Sequence, residues 1–263
     1  MRKFKNIASW VSLFAYLIVV LSLISANRKE IICKKIVVSV NDDTQNYFVE
    51  EADVMKLLNN KKVSLIGALI DTINTNKLEE VLSVHSAIKE ANVYRNLDGD
   101  LHIRIEQRNP IVRVINRNGE SFYIDDEGAL MPLSTKYAAH VLVANGNIKD
   151  SYAKNYTLNL SQKNDTAVEN SHPLLVDLYQ LADYIYRDEF WNAQIEQIYV
   201  NGQEFELIPR VGTHIIELGT LDNYKNKFRN LRLLYEQGLP KAGWNKYKTI
   251  NLKYNNQVIC TKR

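Results

Sequence analysis

The sequence predicts an α+β protein carried on a single N-terminal transmembrane helix. Three observations point there: one uncharged apolar run near the start, a strand–helix–helix–strand–strand order after it, and a strand-rich remainder punctuated by Asp-Gly and Asn-Gly turns. Between Asn6 and Asn27 the chain runs from Ile7 to Ala26 without an ionisable side chain. Helical residues rise about 1.5 Å each, so a run of this length covers roughly the 30 Å of hydrocarbon in a bilayer. Arg2, Lys3 and Lys5 ahead of it would also suit a secretory leader. The run is longer than the about 7 to 15 apolar residues of such a leader, however, and Ile24 and Ala26 make a poor cleavage site. An uncleaved anchor at residues 7–26 is therefore expected, crossing once. Arg28, Lys29, Lys34 and Lys35 beyond the run outnumber the three cations before it, against a simple positive-inside count. Long folded domains translocate largely regardless of flanking charge, so the short tail, residues 1–6, is placed inside and the bulk outside.

The rest of the chain is long enough for two domains. A hydrophobic content of 46% with 24% charged residues is that of a folded protein. The net charge of +3 is unevenly spread: from Leu221 to Arg263 ten Lys or Arg face only Asp222 and Glu236. Cys33 and Cys260 are far apart in sequence and are read as free thiols.

Lys35 to Asn41 is a β-branched run that reads as a strand. Glu50 and Glu51 favour a helix start, and Val54, Leu57 and Leu58 follow at helical spacing. A second helix is expected over 76–89, with Leu78, Val81, Leu82 and a packed His85 on one face. Strands over 91–96 and 100–107 join through Leu97-Asp98-Gly99, a hairpin signal. After Pro110, strands dominate: Val112 to Asn116 and Ser121 to Asp125, a loop over 126–132 containing the Asp125-Asp126-Glu127-Gly128 turn, then Leu142 to Gly146. The polar stretch 147–171 has no clear period and is expected to be the least ordered part. Pro173 opens a helix to Ile185 with Leu174, Leu175, Leu178 and Leu181 in a stripe. Ile195 to Val200, Phe205 to Pro209 and Thr213 to Leu218 read as a meander. A basic helix from Leu221 to Gln237 should stop at Gly238. Two last strands follow, Lys248 to Tyr254, with Ile250, Leu252 and Tyr254 on one side, and Gln257 to Thr261, at a sheet edge.

Catalytic constellations were sought in turn. The five histidines fall in no metal-ligand spacing, and no nucleophile elbow, P-loop or dinucleotide fingerprint occurs. No enzyme activity, cofactor, metal or nucleic-acid partner is expected, and a binding protein is the better reading.

Three segments then speak together: Val93-Tyr94-Arg95, Leu101 to Pro110 with Arg108 two before the proline, and Phe122 to Gly128. In that order they resemble the FtsQ/DivIB family of bacterial division proteins, and Leu252-Lys253-Tyr254 is similar to that family's late Leu-Arg-Tyr strand. The resemblance implies a POTRA domain (β-α-α-β-β) over 27–109 and a mixed β-sheet domain with flanking helices over 110–263. It implies a place in the inner membrane at the division septum, bulk periplasmic, and the role of a non-enzymatic divisome scaffold. The implied partners are FtsB-like and FtsL-like membrane proteins, coupled to septal peptidoglycan synthesis. Binding is expected by β-augmentation around 254–259, with Lys253, Tyr254, Asn256, Val258 and Ile259 as partner-binding residues. Lys253 stands where the family more often has Arg, and the two cations differ in bidentate bonding. The alternatives are a POTRA-bearing translocation or outer-membrane assembly factor and an anchored cell-wall enzyme.

Overall fold

In the computed structural model the chain forms two compact units, Met1–Gln107 and Arg108–Arg263. The structure describes residues 2–28, 31–41, 46–60, 65–161, 172–254 and 256–263. Helix α1 spans Arg2–Arg28, and its described side chains are those of 10–23. Trp10, Leu13, Phe14, Tyr16, Leu17 and Ile18 are exposed on successive faces of it. Among the described residues, no helix is long and apolar enough to cross a membrane.

The remainder of the first unit is β1 (Lys35–Asn41), α2 (Glu51–Asn60), α3 (Thr75–Ser83), β2 (Ile88–Arg95) and β3 (Asp100–Gln107), in the predicted order. The three strands form one sheet, β1-β3-β2, with β1 parallel and β2 antiparallel to the central β3. Leu101, Ile103 and Ile105 alternate inward from β3 and are almost wholly buried, alongside Val54 and Leu58 of α2 and Leu78 and Leu82 of α3. Asn74 caps α3 by accepting from the Lys77 amide at 3.1 Å. That helix is shorter than its stripe suggested. It ends at Ser83, whose hydroxyl donates to Glu79 O, and half-buried His85 accepts the Ala87 amide in the turn leading to β2. Cys33 is buried and reduced, and burial pushes its thiol pKa up.

The second unit is built on a mixed nine-stranded sheet. Its strands are β4 (Pro110–Ile115), β5 (Ser121–Asp125), β6 (Leu130–Pro132), β7 (Leu142–Gly146), β8 (Ile195–Asn201), β9 (Glu204–Pro209), β10 (Ile215–Gly219), β11 (Tyr247–Asn251) and β12 (Ile259–Lys262). Their spatial order is β12-β11-β10-β9-β8-β7-β4-β5-β6. Parallel pairs β4/β7, β7/β8 and β10/β11 sit among antiparallel ones, and β8-β9-β10 is the expected meander. Helices α4 (Tyr152–Asn155), α5 (Pro173–Arg187), α6 (Glu189–Gln194) and α7 (Tyr224–Leu233) accompany the sheet. Leu175, Leu178, Leu181 and Ile185 of α5, Trp191 of α6, and Phe228 and Leu231 of α7 share one core with Ile198, Leu207, Ile216 and Ile250 of the strands.

Three expectations are corrected here. The 126–132 segment contains a strand, β6, because Gly128 turns the chain back and Ile124 pairs with Leu130. The stretch from 147 to 161 is packed rather than loose: Ile148 and Leu160 are buried, and Ile148 O accepts the Arg117 amide. Its continuation over 162–171 lies outside the described residues. The basic helix does not stop at Gly238. It passes through a π turn at Leu234–Gly238 and continues as α8 (Leu239–Ala242), because Gly238 keeps a helical φ of −95° and the positive-φ glycine is Gly243.

Asp125 anchors the start of the sheet. Fully buried, it bonds Arg108 Nη1 at 2.8 Å and accepts the amides of Glu127 and Ala129, closing the predicted turn. Burial still pushes its pKa up, against those bonds.

Candidate functional site

The expected binding residues fall at one end of the nine-stranded sheet. β12 is its last strand, paired antiparallel to β11 from Asn251↔Ile259 to Tyr247↔Lys262. Among the described residues no strand lies on its other side. The opposite edge, β6, is three residues long, ends in Pro132 and is flanked by a bridge from Ala129 to Asn159. A short edge closed by proline resists pairing, whereas β12 offers a run of main chain.

The hydrogen-bonding segment is displaced from the expected one. Strand β11 ends at Asn251, and Leu252 is buried, but Tyr254 leaves the strand and is exposed. Asn256 has a positive φ of 59°, and the Gln257 amide donates to Tyr254 O, so the chain turns at Asn256. The alternation that put Tyr254 beside Ile250 and Leu252 stops there, because a turn resets side-chain direction. Val258 and Cys260 pack partly against the core, and Ile259 is exposed. The free edge is therefore Ile259–Lys262, one strand later in the chain than Lys253 and Tyr254. Arg263 donates its amide to Lys246 O, toward β11. By the alternation of a ladder, the Lys262 amide points away from β11.

Lys253 is held on the adjacent surface. Its ammonium bonds Glu204 Oε2 at 2.6 Å, its amide donates to Asn251 Oδ1, and Asn251 in turn donates to Glu217. The Glu204 bond, with the fields of Glu204, Glu217 and Glu206, holds the Lys253 pKa above its usual value. A single Lys–carboxylate contact does here what a bidentate guanidinium would do more rigidly. Other cations of the basic segment are also paired: Lys227 with Leu218 O and Thr220 O, Arg232 with Glu236 and Asp188. Of the remaining cations, Lys246, Lys248, Lys262 and Arg263 lie on or directly beside β11 and β12, while Lys225, Arg229 and Lys241 are exposed elsewhere, and no acidic residue follows Glu236. The guanidinium of Arg263 also donates to Thr213 O at 3.0 Å.

A dimple beside Tyr254, lined by Asn223, Asn230 and Gln257 among others, has about 10 Å³ of space and is too small for a ligand. Among the described residues, no group of His, Cys, Asp or Glu could hold a metal ion. Sequence reading placed an edge strand at Gln257 to Thr261 but missed Lys262 and Arg263 at its end and the carboxylates that engage Lys253. The Lys-Arg ending of an alternating run was a signal for the first group; the second is brought in from β9 and β10 by folding.

Comparison with known proteins gives the family of both units. Residues 31–106 match a POTRA-like domain, and residues 109–261 match the family described as FtsQ/DivIB, C-terminal related. Two curated relatives are both named cell division protein FtsQ. The one from Rickettsia bellii is 32% identical over 105 residues, 40% of this chain and 38% of that protein. The one from Rickettsia prowazekii is 31% identical over 115 residues, 43% of this chain and 41% of that protein. The chain thus matches about two fifths of the length of each. Because the family's model covers more than half of the chain, including all nine strands of the sheet up to Thr261, this protein belongs to the FtsQ/DivIB, C-terminal related family.

Proposed function

We propose that this protein is a membrane-anchored, non-enzymatic cell-division scaffold that captures a partner segment by strand addition along β12. The partners are membrane-anchored division proteins of the FtsB and FtsL type, and the assembly couples them to septal cell-wall synthesis. One observation carries the reading: a nine-stranded sheet whose last strand, Ile259–Lys262, has no neighbouring strand on one side among the described residues. Main-chain bonds to that strand would supply affinity, and Ile259, with Tyr254 and Lys253 on the neighbouring surface, would select the sequence. Lys246, Lys248, Lys262 and Arg263 would draw in an acidic segment and repel a second copy of the same edge. The uncharged run of residues 7–26, with apolar side chains exposed around α1, supports anchoring by a single crossing, tail inside and both units outside. On this reading residues 27–109 act next to the membrane and 110–263 carry the binding edge.

Proline at the outward-facing amide is the test. Lys262→Pro removes a donor from the open side while leaving the Arg263 bond to Lys246 in place. Capture of an FtsB-type partner should be abolished by Lys262→Pro and only weakened several-fold by Lys262→Ala, with the circular dichroism of both unchanged. Full binding by Lys262→Pro would sink the strand-addition model.

A further inference from the structure

The first unit exposes apolar side chains mainly at one end. Among this unit's described residues outside α1, seven large hydrophobic ones are exposed: Ile32, Tyr47, Ile66, Leu69, Val84, Tyr94 and Leu97. Single exposed residues are ordinary, but grouped ones mark an interaction surface. Four of the seven sit on three segments that are tied together. The Cys33 amide donates to Ala68 O, the Gly67 amide to Cys33 O, the Ile70 amide to Ile31 O and the Lys34 amide to Gly99 O. Ile32 also bridges Leu69, and a side chain added at Gly99 would begin 2.6 Å from Ile32 O. Segments 31–34, 65–70 and 97–99 thus form one end of the three-stranded sheet, where β1 and β3 begin and β2 finishes. Ile32, Ile66, Leu69 and Leu97 are 47%, 60%, 44% and 72% exposed there.

This end is also where the anchor leads. Ile32 is only four positions beyond Arg28, the last residue of α1, so it lies within about 14 Å of the helix end even if the link is fully extended. If α1 crosses the bilayer, the patch is held at its surface. We propose that this end of the POTRA-like unit docks on the membrane, with Ile32, Ile66, Leu69 and Leu97 seated at the boundary between headgroups and acyl chains. The occupant is the lipid surface itself. Around the patch Lys35 pairs with Asp100 and Arg95 with Asp71, and exposed Lys34 is offset by exposed Asp98 in the turn its amide joins, so apolar contact rather than net headgroup charge holds it. The consequence is orientation: the unit is clamped against the bilayer rather than swinging on a tether.

The inference rests on the anchoring reading, and the experiment separates the two. In full-length Cys260→Ser protein, single cysteines at Leu17, Ile66, Leu97 and Val84 carry an environment-sensitive fluorophore, the native Cys33 thiol being buried. The protein is reconstituted into phosphatidylcholine vesicles with quenchers at defined depths, with and without phosphatidylglycerol. A label at Leu17 should be quenched by deep quenchers. Labels at Ile66 and Leu97 should be quenched by shallow quenchers severalfold more than one at Val84, which lies beyond the far end of β2, and equally in both lipids. Labels at Ile66 and Leu97 as unquenched as Val84, with Leu17 quenched, would overturn the docking alone. An unquenched Leu17 would overturn the anchor and the docking together. Quenching at Ile66 and Leu97 only with phosphatidylglycerol would replace apolar docking by charge.

Discussion

Two buried polar side chains show how much single residues decide in this protein. Asp125 has no exposed surface yet keeps three bonds, to Arg108 and to two amides. Removing one side of such a pair leaves the other uncompensated, so Asp125→Ala should lower stability by about 3 kcal/mol. Asp125→Asn keeps an acceptor for the amides and should lower it by about 1 to 2 kcal/mol; urea unfolding measures both. His214 is buried, with Nε2 2.8 Å from the Tyr235 hydroxyl and Nδ1 lacking a hydrogen-bond partner. Burial lowers its pKa, and the nearby Trp244 carbonyl offsets only part of that. The unfolded chain then binds the proton more readily than the fold. The stability His214 contributes is complete above its unfolded pKa of about 6.5 and is lost as pH falls from there toward the lower folded value. Melting temperature should therefore drop between neutral and mildly acidic pH, and His214→Phe should flatten that limb of the profile.

At the scale of elements, close approach of two parallel strands sets the tightest constraint. Gly146 ends β7 with φ +107°, and a Cβ there would lie 2.3 Å from Val200 O on β8. Gly146→Ala must either separate the strands or break the pairing of Gly146 with Val200. A loss of about 2 to 4 kcal/mol is expected, with the melting temperature as the readout, since strain and clash add. Helical elements failed their forecast for a related reason. The end of α7 depended on Gly238 taking a left-handed conformation, but Tyr235 packs against Trp191 and Trp244 and holds the chain in a π turn. A glycine permits a stop without compelling one.

For the molecule as a whole, the outcome to test is charge-guided assembly at β12. Lys246, Lys248, Lys262 and Arg263 lie along the edge, while Lys253, Lys227 and Arg232 are engaged within the fold. Association with an FtsB-type partner should slow roughly tenfold or more between low salt and physiological ionic strength, with a smaller change in dissociation. Stopped-flow binding at several salt concentrations checks this, and a salt-independent association rate would remove the steering role. Neutralising Lys248 and Lys262 together should reproduce the high-salt rate, whereas Lys154→Ala, on α4 beside β6 at the opposite edge of the sheet, should not.

What the sequence determined by itself was local. Periodicity and turn chemistry gave the β-α-α-β-β order, the β4/β5 hairpin, the meander and the Asp125 turn, because each depends on neighbours within a few residues. Motif order along the chain was enough to reach the family. The tertiary structure decided what depends on distant partners. It found β6, because strand pairing with β5 gives three residues an identity their composition does not. It placed the last strand of the sheet at 259–262 and left Lys253 and Tyr254 outside it, because a turn at Asn256 and register with β11 decide which main chain joins the sheet. It also tied Lys253 to Glu204, forty-nine residues earlier, a bond between distant segments that no local pattern announces.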